Sequence, residues 1–189
     1  MAKRFGLGHK FGEAARELFP EGRLVGAEFY QIDDALRETN ELLADSTVET
    51  IFEAAFLSER TFLRADVIQR ADAGGWDLWE VKSVGMPSPL HILDLAIQAY
   101  VMNGAPGVPV RKAGIIHLAR GARLGNQSPS SFQFSEFSAE VSALAPVVKS
   151  MIVEAQAVAD AQDAPKRDTG EHCLSPYRCP FLGSACRNV

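Results

Sequence analysis

Two short segments carry the residue types best suited to chemistry: Leu63-Arg64-Ala65-Asp66-Val67-Ile68 and, across a turn, Trp76-Asp77-Leu78-Trp79-Glu80-Val81-Lys82-Ser83. Each sets a carboxylate among apolar residues. The period of two in a strand places Leu78, Glu80 and Lys82 on one face and Trp79 and Val81 on the other. An acid and a base therefore emerge side by side from a segment whose composition predicts burial, and burying a charge is costly unless it is paired or binds a metal. Carboxylates from two neighbouring strands are hard oxygen ligands suited to magnesium or manganese. Such a cation polarises a phosphate and lowers the pKa of an attacking water. A lysine two residues beyond the second carboxylate can orient or activate that water and offset the charge that develops on the phosphate. The plainer reading is a structural ion pair of Lys82 with Glu80 or Asp66 at a sheet edge.

The segments Phe52-Glu53-Ala54-Ala55-Phe56, Arg64-Ala65-Asp66-Val67, Trp79-Glu80-Val81-Lys82-Ser83 and Ile97-Gln98-Ala99-Tyr100-Val101 together resemble the RecB-like branch of the PD-(D/E)XK nuclease superfamily, which includes exonucleases associated with CRISPR systems. The tail from His172-Cys173 through Cys179 to Cys186 extends the likeness over most of the chain. The resemblance implies a restriction-endonuclease-like core and a magnesium- or manganese-dependent deoxyribonuclease, an exonuclease acting on single-stranded DNA or free ends, alone or in a larger nucleic-acid-processing complex. It also implies that Asp66, Glu80 and the backbone carbonyl of Val81 bind the metal and that Lys82 is catalytic. A nuclease-fold module that binds nucleic acid or a protein partner without turnover is the alternative.

The pattern departs from the family on the helix after the lysine strand. Relatives carry a glutamine and a tyrosine four residues apart, whereas Tyr100 would put that glutamine at Ala96, and Gln98 lies two residues before the tyrosine. Gln98 and Tyr100 are kept as site candidates. The further ligand that relatives supply from their first helix points here to Glu13, with Glu17 behind it. Glu53 stands alone among Ile51, Phe52, Ala54, Ala55 and Phe56, so it either joins the site or holds Lys82 or a neighbouring backbone group.

All three cysteines, Cys173, Cys179 and Cys186, fall near the C-terminus, an odd number that suggests a metal more than a disulfide framework. The resemblance implies a 4Fe-4S cluster held by three such cysteines and one N-terminal cysteine, and the sequence has no fourth. The alternatives are a zinc site completed by His172 or His9, and reduced cysteines packed as small apolar residues. His117, inside an apolar run, reads as a core histidine.

These groups need a frame. With 189 residues, 47% hydrophobic and 23% charged, the chain is long enough for one domain over residues 1–189 with a substantial core, and a Cys-rich tail from about residue 163. A net charge of -5 disfavours a broad basic surface and leaves room for a local basic groove. No unbroken run of about 18 apolar residues and no secretory stretch is found, which predicts a cytoplasmic protein that does not meet a membrane.

Apolar spacing predicts a helix over 11–19 stopped by Pro20, and a second from Asp33, whose carboxylate would cap it with Ile32 and Leu36 packing across the entry. Residues 48–57, 61–69 and 76–83 predict three consecutive antiparallel strands. Residues 89–103 return to helical spacing, with Leu90, Leu93, Ile97, Tyr100 and Val101 apolar and His91, Asp94 and Gln98 in a polar stripe. A buried strand over 112–119, a polar loop over 121–131 and a long helix over 137–161 interrupted or kinked near Pro146 complete the order. The fold class predicted is α/β, a mixed sheet flanked by helices.

Overall fold

The computed structural model describes residues 2–123, 125, 128–163, 168–175 and 177–183, with side chains from residue 8 onward. Its elements run α1 (Ala2–Arg16), β1 (Arg23–Leu24), α2 (Ile32–Ala44), β2 (Thr50–Ser58), β3 (Thr61–Arg70), β4 (Trp76–Lys82), α3 (Pro89–Gly104), β5 (Val110–Leu118), β6 (Phe132–Glu136) and α4 (Ser138–Asp160). The chain divides into two units, Met1–Ser150 and Met151–Val189. The second begins inside α4, upstream of the predicted tail.

In the first unit the six strands form one mixed sheet in chain order. β2, β3 and β4 are antiparallel neighbours, as their alternation predicts. β5 lies parallel to β4, because α3 carries the chain back along the sheet, and β6 returns antiparallel. The fold is thus α/β, with an open mixed sheet flanked by helices.

The period of two divides the sheet cleanly. On one face Phe52, Val67 and Ile116 form a cluster joined by Leu18, Phe19, Trp79, Val81 and Phe132, and α1 adds Phe11, whose ring lies 4.9 Å from that of Phe132. Gly114 is required there, since a Cβ would collide with the Trp79 ring. On the other face Ile68 and Leu78, Cα partners across β3 and β4, are fully buried. α3 packs against β2, β3, β4 and β5.

Several expectations need correction. Helix α1 ends at Arg16, and Leu18 and Phe19 follow in tightening turns that turn these apolar side chains onto the sheet. Asp33 does not cap α2: Gln31 precedes the helix and makes no side-chain cap bond, Asp33 lies in the first turn, and Ile32 is exposed. The ends of the sheet, β1 and β6, were not foreseen. β1 is two residues long, and Gln133, Ser135 and Glu136 give β6 a loop-like composition. Helix α4 is not interrupted at Pro146 but runs through it as one element of 23 residues. By length and composition it alone among the described residues could cross a membrane, although Glu140, Lys149 and Glu154 interrupt it.

Candidate active site

β3 and β4 pair from Arg70–Trp76 up to Val67–Trp79, and the pairing stops there. Asp66 and Glu80 are the next residues along each strand. In place of a ladder bond, the Val81 amide donates to the Asp66 carboxylate at 2.7 Å. The two carboxylates thus emerge where the strands part, on the face that α3 covers. The register follows from the residues: Ile68 and Leu78 are buried on that face, and two steps on the alternation delivers Asp66 and Glu80 to it.

Lys82 continues the alternation. Its Nζ lies 2.5 Å from the Glu80 carboxylate and donates to Asp94 of α3 at 2.7 Å. Glu80 is buried, and its other oxygen accepts a 2.6 Å hydrogen bond from the Gln98 side chain. Asp94 and Gln98 stand one helical turn apart, so one edge of α3 reaches both members of the β4 pair. Helix α3 itself opens on a capping box, in which the His91 ring accepts from the Ser88 amide at 3.1 Å.

The charges do not balance. Asp66, Glu80 and Asp94 bring three carboxylates to one ammonium. Burial pushes the Asp66 carboxyl well above its ordinary range, and the Glu80 charge adds to this, against the opposing pull of the Val81 amide and of Lys82. Burial works against the Lys82 ammonium, yet Glu80 and Asp94 outweigh it and raise its pKa, so the lysine is a fixed cation. The Gln98 side-chain oxygen is buried and, among the described residues, has no hydrogen-bond partner. An orphaned carbonyl beside excess negative charge fits a hard divalent cation. Among the described residues no three His, Cys, Asp or Glu side chains are grouped to hold a metal. The side-chain oxygen donors on hand are the Asp66 and Glu80 carboxylates and that amide.

Glu53 occupies the position of β2 opposite Asp66, between the Phe52–Val67 and Ala54–Ala65 pairs, and is itself unpaired. Its φ of 56° is unusual for a residue with a side chain. The carboxylate accepts from Arg16 at 2.9 Å and lies 3.7 Å from Arg64. Arg64 also donates to the carbonyls of Ala27, Val25 and Glu53 at 2.6, 3.0 and 3.3 Å, fastening the β1–α2 connection to β3. Glu53 therefore holds arginines and not Lys82, while its charge still pushes the Asp66 carboxyl upward.

Other candidates stand apart. Glu13 is exposed and pairs with His9 at 3.7 Å. The Tyr100 hydroxyl donates to Glu59 at 3.1 Å and lines a cavity of about 560 Å³ with Lys112 and Ser138. Of the predicted apolar face only Val101 is buried, Leu90 being exposed and Leu93, Ile97 and Tyr100 half-buried, whereas Leu95, Gln98, Ala99 and Met102 are buried, so α3 is rotated from the predicted orientation and its Asp94–Gln98 edge meets the β4 pair. His117 is a core histidine, bonded to the Leu118 carbonyl and the Ser135 hydroxyl. In the second unit Cys173 is buried and Cys179, half-buried, donates its amide to the Cys173 carbonyl at 2.8 Å; both are free thiols. Cys186 lies outside the described residues. Of the polar stripe read from the sequence, Asp94 and Gln98 reach the site while His91 bonds to the start of its own helix, and the contribution of Arg16 was not foreseen.

No protein-family model matches the chain, and no curated protein matches it. A solved structure described as "Crystal structure of SSO0001" aligns over 79% of this chain and 70% of its own at 15% identity, with a TM-score of 0.29.

Proposed function

We propose that the chain is a metal-dependent deoxyribonuclease, an exonuclease that hydrolyses phosphodiester bonds at the centre formed by Asp66, Glu80 and Lys82. The observation that carries this reading is the excess negative charge at the splayed end of β3 and β4 beside the unpartnered Gln98 oxygen. The likeness of the sequence segments to RecB-like PD-(D/E)XK nucleases supports it.

Asp66 and Glu80, with the Val81 carbonyl, would hold magnesium or manganese. When bound, the ion supplies a Lewis acid for the phosphate and an acidified water. Gln98 holds the Glu80 carboxylate in place through its 2.6 Å hydrogen bond. Lys82 stays protonated because Glu80 and Asp94 flank it. It therefore acts through its charge and its N–H groups, orienting water and stabilising negative charge on the phosphate oxygens, and does not remove a proton. Asp94 fixes where that ammonium points.

The cysteines carry a separate proposal, in which Cys173, Cys179 and Cys186 bind a 4Fe-4S cluster or zinc.

The nuclease reading is tested by incubating end-labelled single- and double-stranded DNA with the chain and magnesium or manganese, beside Asp66→Ala and Lys82→Ala. Metal-dependent cutting lost in both variants supports the assigned centre. Cutting that survives both changes, or no cutting by the native chain, removes it in favour of a nuclease-fold module that binds nucleic acid or a protein partner without turnover.

A further inference from the structure

β5 and β6 bring together a second pair of groups that the carboxylate site does not use. Their antiparallel register sets His117 opposite Gln133 and Ser135 opposite Ile115, so the period of two puts the His117 and Ser135 side chains on one face as diagonal neighbours. Both ring nitrogens of His117 are engaged: Nδ1 lies 3.1 Å from the Leu118 carbonyl oxygen and Nε2 lies 2.8 Å from the Ser135 hydroxyl. A carbonyl oxygen only accepts, so the proton of the neutral ring sits on Nδ1. Nε2 then presents a lone pair, and the Ser135 hydroxyl donates to it.

A hydroxyl within hydrogen-bond reach of a base, with the base in turn oriented by a third group, is the arrangement of an activated nucleophile. The Leu118 carbonyl takes the third role, holding the ring in the tautomer that can receive the serine proton. Burial shields the ring, which is 3% exposed, and Ser135 is half-buried, yet both side chains line an open groove of about 990 Å³. Met86, Pro87, Leu118, Ala119 and Phe137 also line it, and no carboxylate is among its described residues. Such a lining suits an apolar group more than a cation. Arg120 belongs to the same lining, and its charge favours negative charge developing in the groove.

We propose that Ser135 and His117 form a second reactive centre, a serine nucleophile with its general base, which hydrolyses carboxylic esters of apolar acyl groups. It is independent of the nuclease reading and needs no metal. Ser135 Oγ bonds to the ester carbonyl carbon while its proton passes to His117 Nε2. The carbon–oxygen bond to the alcohol then breaks, and the departing alkoxide takes that proton. Water attacks the acyl-serine, gives a proton to Nε2, and the carboxylic acid leaves as Ser135 Oγ recovers the proton.

The test uses the full chain in EDTA with two probes, an alkyl fluorophosphonate that attaches to activated serines and p-nitrophenyl butyrate as ester, beside Ser135→Ala and His117→Gln. Circular dichroism verifies folding, and peptide mass spectrometry of the native chain locates the attached phosphonate, a readout that needs no variant. Attachment should fall on Ser135, and Ser135→Ala should lower ester turnover roughly 1000-fold or more. His117→Gln should lower it roughly 100-fold or more. Turnover that survives in folded Ser135→Ala, attachment only at other residues, or no turnover by the native chain overturns the proposal. Ester turnover in EDTA from a chain that does not cut DNA with magnesium supports this centre and removes the nuclease reading, whereas DNA cutting without ester turnover removes this centre alone.

Discussion

Glu53 sits across from Asp66 in the β2–β3 register, yet its backbone takes a φ of 56° and its carboxylate goes to Arg16 and Arg64. Like charges directly opposite each other in a sheet are destabilising, and this excursion lets arginines neutralise one of the two acids. The cost is a backbone conformation that an ordinary residue adopts at about 1–2 kcal/mol. Two variants separate the backbone from the charge. Glu53→Ala loses the arginine partner and keeps the strained φ, so it should destabilise the chain by about 1–2 kcal/mol. Glu53→Gly loses the same partner and adopts that φ freely, and should be more stable than the alanine variant by about 1 kcal/mol. Urea unfolding compares them, and an alanine variant as stable as the glycine one would refute the account.

Asp66 gives the metal-free chain a pH dependence whose sign is fixed. Its carboxyl is raised above the ordinary 3.8 by burial and then by Glu80. A raised pKa in the folded state means that the native chain holds the proton more tightly than the unfolded one. The stabilisation is complete below the ordinary value and is lost as pH rises through the raised one. Asp66→Asn has no such loss, so in EDTA the Tm of the native chain should fall relative to that of the variant as pH is raised from about 4. Divalent cation should restore stability to the native chain alone. Parallel curves for the two proteins would contradict this.

Lys82 is held between Glu80 and Asp94, which keeps it charged. If its charge is what the reaction uses, Lys82→Ala should lower kcat by roughly 100-fold or more. Asp94→Asn leaves the ammonium in place but holds it less firmly, and should lower kcat about tenfold with KM little changed. A variant at Asp94 that alters KM alone would place this residue in substrate binding.

Gln98 donates to Glu80 while its own oxygen is buried without a partner. Gln98→Leu strips the Glu80 carboxylate of that donor, and the metal-free chain should lose about 1–3 kcal/mol. Gln98→Glu adds a further carboxylate at this spot. It should lower the metal-free Tm and enlarge the Tm gain on adding manganese, as read by calorimetry. An unchanged gain would show that this oxygen does not face the cation.

The cysteine proposal is read from the purified chain itself. A brown protein with visible absorption and bound iron indicates a cluster, whereas a colourless one with stoichiometric zinc indicates a thiolate zinc site. A chain free of both, with Cys173 protected from thiol reagents, would assign that residue to packing.

The sequence alone determined β2, β3 and β4 and the shared face of Glu80 and Lys82, because a period of two is a local property of the backbone and depends on no distant contact. It also marked Asp94 and Gln98 as one edge of a helix, without saying what that edge meets. The rotation of α3, which turns Gln98 inward and leaves Tyr100 to Glu59, came from packing Leu95, Ala99 and Met102 against the sheet. β6 has too few apolar residues to announce itself and exists because β5 offers it an edge. The bend at Glu53 and its two arginines answer a charge that lies on another strand. Local periodicity thus identified the candidate site groups, while the charge each carries and the partner each holds depended on tertiary contacts, since electrostatics and burial act through space and not along the chain.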